Sequence, residues 1–218
     1  MKKVIIFDLD GTLIDTLDDL RSAVNYALNK FHYPLRSKEQ VRKDIGNGVA
    51  KLVERSIPDG INNPNYEQCL KDFTIYYSEH YNDQTYPYEG LNELVNKLHN
   101  EGYLLAVATN KLKDIAEILI NKCFPNVFDF IQGDCKEVKK KPDPAMVESI
   151  CKYFNISKDE AFYIGDTNVD EQTAINSNVD YLLVTYGYRT KEEILATCKT
   201  RTLMNNALEV YNYIKNLK

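Results

Sequence analysis

Two aspartates, Asp8 and Asp10, stand two positions apart in FDLDGTLIDT, residues 7–16, directly behind the apolar run Val4, Ile5, Ile6, Phe7. Alternate residues of an extended chain point the same way, so both carboxylates face one pocket while Leu9 turns to the core. Adjacent carboxylates repel each other, and a bound divalent cation or a shared proton is the usual relief. Two later apolar runs also end in polar side chains: YLLAVATN ends in Thr109 and Asn110, and AFYIGDTNVD reaches Asp166 and then Asp170. Between them Lys141 lies in KKKPDP, a turn bounded by Pro142 and Pro144. The set comprises four carboxylates, one hydroxyl, one amide and one ammonium.

Each of these types has a role if the substrate is a phosphate ester. Mg2+ keeps several waters and takes a few carboxylates plus a phosphate oxygen, which suits Asp8, Asp166 and the backbone carbonyl of Asp10. With the ester's charge partly neutralised by Mg2+ and Lys141, an Asp8 oxygen attacks phosphorus in line and becomes an aspartyl phosphate. Asp10 is placed to protonate the leaving oxygen and then to deprotonate water. Thr109, Asn110 and the backbone N–H groups near Gly11 would hold the equatorial oxygens. Asp170 has a second reading, as the cap of the helix that begins there.

These residues need strand ends to hold them. Helical spacing runs from Leu17 through Leu20, Ala23, Val24, Ala27, Leu28 and Phe31, with Asp15 or Thr16 as cap. Ser37 with Gln40 forms a capping box for a short helix ending near IGNGV, and Leu52, Val53 and Ile57 belong to another. Tyr66, Cys69, Leu70, Phe73, Tyr76, Tyr77, His80 and Tyr81 fall on a third face. Beyond YPYEG, helical segments alternate with apolar runs, the later ones at 128–132, 161–165 and 181–185. Such alternation predicts a doubly wound, Rossmann-like parallel sheet covered on both faces. The fold class is therefore α/β, with a core domain of residues 1–14 and 88–218 interrupted by an all-helical cap domain at 15–87. Ligands of such a sheet bind outside the carboxyl ends of its strands. In the helical block, Gly46, Asn47 and Gly48 either break two helices or present a helix N-terminus to a substrate anion, with Arg42 or Lys51 adding charge.

The 218 residues carry a formal net charge of −5 and 44% hydrophobic residues. That balance argues against a general nucleic-acid surface, so an anionic substrate must be captured locally. Five cysteines with no CxxC pair read as reduced thiols of a cytoplasmic protein. No apolar stretch has the length of a membrane helix, and MKKVIIFD reaches a charge too early for a secretory signal. The expected partner is a small phosphorylated metabolite, with no nucleic acid and no membrane, and the charge balance suits monomer and homodimer alike.

FDLDGTLIDT, VATNK, KKPDP and YIGDTNVD, in this order, resemble the four motifs of the haloacid dehalogenase superfamily and span residues 7–170. IGNGVAKLVERSI, PYEG, TNK and TYGYR look like its phosphoglycolate phosphatase group, in which a helical cap follows the first motif. The resemblance implies Asp8 as nucleophile, Asp10 as acid and base, and Thr109 and Lys141 as phosphate contacts. It also implies Mg2+ held by Asp8, Asp10 and Asp166, with Asp170 in support. Leu112 replaces a proline common after TNK, and Asn178 replaces a glycine, a change that a left-handed helix end tolerates. The expected activity is hydrolysis of a small phosphate monoester, 2-phosphoglycolate first among them, beneath a mobile cap. A phosphomutase of the beta-phosphoglucomutase type, a pyrophosphatase or a nucleotidase on the same core are the alternatives.

Overall fold

The computed structural model describes residues 2–46 and 48–217, so Asn47 lies outside the described residues. The chain divides into two compact units, Met1–Ile14 with Pro87–Lys218, and Asp15–Tyr86.

The first unit is built on six parallel strands: β1 (Val4–Phe7), β4 (Leu104–Leu112), β5 (Phe130–Asp134), β6 (Ala161–Gly165), β7 (Asp180–Val184) and β8 (Leu203–Met204). Their order is β5-β4-β1-β6-β7-β8, and Ile5 of β1 pairs with Leu105 on one side and Phe162 on the other. All four residues of β1 and all five of β6 are buried, as central strands covered on both faces require. On one face Val4, Ile6, Ala106 and Tyr163 pack with Met146, Val147 and Ile150 of α7 (Ala145–Phe154) and Ala174 of α8 (Asn168–Ser177). The alternate residues face the other layer, where α5 (Leu91–Asn100) and α6 (Lys113–Cys123) lie against β4, and Phe162 meets the Tyr213 ring of α10 (Ala207–Lys215). An additional helix, α9 (Lys191–Thr197), precedes β8.

The direction of winding reverses at β1, because β4 and β5 extend the sheet on one side of it and β6 to β8 on the other. Chain segments that leave β1 and β6 therefore diverge from a common crevice at their carboxyl ends, the usual place for a ligand in such sheets.

The second unit holds α1 (Leu17–Lys30), α2 (Lys38–Asp44), α3 (Val49–Ser56) and α4 (Tyr66–His80), with α1 packed along α4. Leu20, Val24, Ala27, Leu52, Val53, Phe73 and Tyr77 are buried. Ser37 and Gln40 make the expected capping box at the start of α2. Asp15 rather than Thr16 supplies the side-chain contact at α1, its Oδ1 accepting the Leu17 N–H at 2.9 Å. Two short strands, β2 (Ile14–Asp15) and β3 (Tyr86–Pro87), form a sheet of their own where the chain passes between units.

The strand expected at 128–132 instead begins at Phe130. Asp129 ends the preceding loop, its side chain accepting the Leu105 N–H at 2.8 Å, and the Phe128 ring packs edge-on to Phe7 and Phe124. The apolar character of residue 128 thus comes from ring packing and not from the ladder. Strands β2, β3 and β8 have two residues each, too short to show any period in sequence. Among the described residues, no helix is long and apolar enough to cross a membrane.

Candidate active site

Asp8 follows β1 directly and is held in register by its N–H, which donates to the Ile164 carbonyl at 2.8 Å. Its side chain is buried and its Oδ1 lies 2.7 Å from Lys141 Nζ. Lys141 reaches this point from the loop before α7, where its bond to Pro142 is cis, and also donates to Asp170 Oδ1 at 2.8 Å and to the Tyr163 hydroxyl at 3.0 Å. An ammonium has three N–H donors, and each has a partner here.

Asp170 divides its two oxygens between jobs. Oδ2 accepts from the Thr167 hydroxyl at 2.6 Å and the Thr167 N–H at 3.0 Å, closing the capping box of α8. Oδ1 faces Lys141 and the Tyr163 hydroxyl, at 3.1 Å from the latter. The N-cap of α8 is Thr167, and Asp170, expected as the cap, is the third helical residue that bonds back to it, while its other oxygen turns to Lys141. Gly165 makes the packing possible, since a Cβ there would overlap the Asp170 side chain.

Asp166 is fully buried just beyond β6. Its Oδ2 accepts the Tyr188 N–H at 2.7 Å, and its Oδ1 is 3.5 Å from the Thr12 hydroxyl. Gly11, at φ +89°, sits against it, and a Cβ at this position would run into Asp166 Oδ2 and the Tyr188 ring. Only glycine meets both demands, a left-handed backbone and no side chain.

Oxygen atoms of Asp8, Asp166 and Asp170 lie within 4.8 Å of one another. Burial and the neighbouring Asp170 push the Asp8 carboxyl up to about 7 despite Lys141. Burial, then Asp170 and Asp8, push Asp166 well above the usual carboxylate range. Burial opposes the charge on Asp170 as well, but the Lys141 ammonium and the bonds from Thr167 hold its carboxyl below the usual range. Lys141 keeps its proton because Asp170 and Asp8 outweigh the effect of burial. With all three buried carboxylates ionised, one ammonium would leave excess negative charge, which is why Asp8 and Asp166 hold their protons more tightly. A hard divalent cation fits such an oxygen-only, dry donor set.

Asp10 is outside this cluster by its side chain, which points its Oδ1 at Lys111 Nζ, 2.8 Å away. Thr109 is buried at the end of the regular part of β4, its Oγ1 accepting the Lys111 N–H at 3.1 Å. The Asn110 amide is engaged with main chain: Oδ1 accepts the Lys141 N–H at 2.8 Å and Nδ2 donates to the Lys141 carbonyl at 3.1 Å.

Gly46 and Gly48 both have positive φ, and Gly48 is the residue that opens α3. Arg55 Nη1 binds the carbonyls of Asp44 at 2.8 Å and Gly46 at 3.3 Å, which fixes this connection from within the helical unit. Arg42 and Lys51, considered as added charge, pair with Glu39 and Glu54 one turn away.

Sequence reasoning missed Lys111, Tyr163 and Tyr188. Lys111 was visible inside TNK, next to the strand-end hydroxyl. Tyr163 is an inward position of an apolar run, and only its buried hydroxyl distinguishes it from core. Tyr188 acts through its backbone N–H, which no side-chain pattern announces.

A buried carboxylate directly after β1, a lysine from a later loop and an acidic pair after β6 stand together on a Rossmann-like sheet. Residues 5–184 match the family model of the haloacid dehalogenase-like hydrolases, and the chain belongs to that family. It is 33% identical over 204 residues to the phosphoglycolate phosphatase of Psychrobacter arcticus, covering 88% of this chain and 87% of the relative. A phosphoglycolate phosphatase of Nitrosococcus oceani is 27% identical over 97% of this chain and 96% of its own. Among solved structures, a Lactobacillus delbrueckii subsp. bulgaricus protein superposes with a TM-score of 0.92 at 30% identity, over 98% of this chain and 99% of that one. By family and relatives, the chain is an enzyme of the phosphatase class.

Proposed function

We propose that the chain is a Mg2+-dependent phosphatase that hydrolyses a small phosphate monoester, with 2-phosphoglycolate as the leading substrate, through an aspartyl phosphate on Asp8. The observation that carries this reading is the buried Asp8 carboxylate, 2.7 Å from Lys141 Nζ and grouped with Asp166 and Asp170. The substrate rests on relatives that are phosphoglycolate phosphatases, such as that of Psychrobacter arcticus.

Asp8 and Asp166, with the Asp10 carbonyl, are the residues we assign to Mg2+. When bound, the cation supplies the positive charge that lets an anionic nucleophile and an anionic ester approach. Asp170 acts on the site by holding Lys141 and the Thr167 turn, since both its oxygens are engaged there. Lys141 keeps the Asp8 carboxylate oriented and offsets charge on the phosphoryl oxygens. In the first step an Asp8 oxygen bonds to phosphorus, the ester P–O bond breaks, and Asp10 gives a proton to the leaving oxygen. In the second, Asp10 takes a proton from water as the water oxygen bonds to phosphorus, the Asp8–phosphorus bond breaks, and inorganic phosphate leaves. Thr109 and the backbone near Gly11 are the proposed phosphoryl contacts. Selection of the leaving group is assigned to the helical unit as a cap, through residues 46–48. Five cysteines without a disulfide agree with a cytoplasmic setting.

A phosphate-release screen over 2-phosphoglycolate, sugar phosphates, nucleotides and pyrophosphate, with and without Mg2+, tests the reading. Mg2+-dependent release without a bisphosphate activator is expected, with 2-phosphoglycolate turned over fastest. Release only in the presence of a sugar bisphosphate would point to a mutase instead.

A further inference from the structure

Between Ala108 and Leu112, β4 advances four residues while its partner β5 advances two, from Gln132 to Asp134. The surplus residues of this bulge lie among Thr109, Asn110 and Lys111. Bulges beside active sites re-aim side chains, and the contacts here are specific. The Lys111 N–H closes the bulge on Thr109 Oγ1, and Asn110 turns to the Lys141 main chain. Gly133 makes room on β5, since a Cβ there would come within 2.8 Å of the Lys113 nitrogen and 3.0 Å of the Lys111 carbonyl oxygen.

The product of this geometry is the direction taken by Lys111. Its side chain is 6% exposed, and its Nζ lies 2.8 Å from Asp10 Oδ1, whose own side chain is 20% exposed. A lysine whose task was only solubility would extend into water, because a buried ammonium loses its hydration and needs a partner to offset that loss. Here the ammonium is drawn in beside the one carboxylate of the site that stands outside the Asp8, Asp166 and Asp170 group.

We propose that Lys111 is a positioning residue for Asp10: it anchors Oδ1, so that the carboxylate keeps one orientation while it gives a proton to the leaving oxygen and later takes one from water. The inference rests on the phosphatase reading above and assigns the working geometry of its acid and base.

The test compares wild type, K111M and K111R on p-nitrophenyl phosphate, whose leaving group needs little protonation, and on ethyl phosphate, whose alkoxide needs a proton. General acid catalysis contributes roughly 100-fold or more, so K111M should lose on the order of 100-fold in kcat/KM on ethyl phosphate and less than about 5-fold on p-nitrophenyl phosphate. Because the water step also needs Asp10, quenched K111M should carry more phosphoryl-Asp8 by mass spectrometry than wild type. K111R, which keeps a cation, should recover at least about tenfold of the loss on ethyl phosphate. Circular dichroism checks the fold, and K111Q takes the place of K111M if that variant does not fold.

Equal losses on both substrates with no extra phosphoenzyme would overturn the inference. So would folding of K111R alone, which would make the lysine a structural cation. A rise in KM confined to 2-phosphoglycolate, with ethyl phosphate unaffected, would also overturn it and make Lys111 a contact for the substrate carboxylate. Absence of any phosphate release by wild type would overturn the phosphatase reading and this inference with it, whereas the other outcomes leave that reading standing.

Discussion

Asn110 and Lys141 are joined side chain to main chain in both directions, the Asn110 Oδ1 accepting the Lys141 N–H at 2.8 Å and its Nδ2 donating to the Lys141 carbonyl at 3.1 Å. The amide thereby ties the end of β4 to the loop that delivers the lysine to Asp8. Asn110→Ala leaves both main-chain groups without that partner, at a cost of about 1–3 kcal/mol if they stay dry. The variant should melt earlier than wild type and lose roughly tenfold in kcat/KM, as a misplacement of the charge beside the reacting atoms implies. Asn110→Asp can accept but not donate and should fall between the two. Melting curves and steady-state kinetics check this, and a lower melting temperature with full activity would show that Lys141 finds its place unaided.

The metal-free protein should lose stability as pH rises toward neutrality. Asp8 moves from the usual 3.8 up to about 7 on folding, because of burial and then Asp170. Between those values the unfolded chain has released a proton that the folded chain retains, so stability is full below the lower value and falls until the upper one is passed. Asp166, also raised, acts in the same direction. Asp170, which is lowered, acts oppositely, its contribution being lost only as the medium becomes strongly acid. For Asp8 the upper limit is roughly 4 kcal/mol. Denaturant titrations in EDTA between pH 4 and 8 measure the slope. Asp8→Asn has no proton to retain and should lessen the slope to the part that Asp166 supplies, while abolishing turnover with the fold intact.

What the sequence made legible follows from what side chains can announce. Asp8, Asp166, Lys141 and Thr109 were readable because each ends an apolar run or stands in a proline-bounded turn, and the structure brings Asp8 and Asp170 each within bonding distance of Lys141. The parallel sheet was readable for the same reason, since alternation of apolar runs and helical periods admits few other packings. Two-residue strands such as β8 were not, because a period needs repeats. Nor was the bond of Asn110 to the Lys141 main chain, since an amide suits a phosphate oxygen as well as a backbone. A contact to main chain depends on where a distant loop passes, and only the folded chain fixes that. Lys111 was hidden for a related reason: its direction is set by a bulge, and an unbulged β4 would have sent it elsewhere.

Removal of divalent cations with EDTA should abolish phosphate release, and Mg2+ should raise the melting temperature of the protein by itself. Asp8 and Asp166, whose carboxyls are raised, must give up retained protons to bind it, so the stabilisation should be larger at pH 8 than at pH 5. Asp166→Asn should remove the Mg2+-induced rise at both pH values. Calorimetry in two buffers of different ionisation enthalpy would count the protons released. A rise in melting temperature independent of pH would mean that Mg2+ stabilises the protein somewhere other than among Asp8, Asp166 and Asp170.

Gly187 connects β7 to this site without contributing a side chain. It follows Tyr186, whose hydroxyl donates to the Thr12 carbonyl at 3.1 Å, and precedes Tyr188, whose N–H holds Asp166 Oδ2 at 2.7 Å. A Cβ at Gly187 would overlap the Gly11 carbonyl oxygen and lie 2.6 Å from both Asp166 Cβ and Oδ2. The obstruction is backbone and a buried carboxylate, neither of which can swing aside, so Gly187→Ala must lift the loop from residues 11–12 and withdraw the Tyr188 N–H. The expected result is a loss of about 1–3 kcal/mol, in the range of overpacking, together with a weakened Mg2+-induced rise in melting temperature. Ala at Gly102, where a Cβ meets nothing within 4 Å although φ is +88°, separates the two causes. It should cost stability through its backbone alone and leave the response to Mg2+ unchanged. If both variants respond to Mg2+ like wild type, the 186–188 loop does not govern the orientation of Asp166.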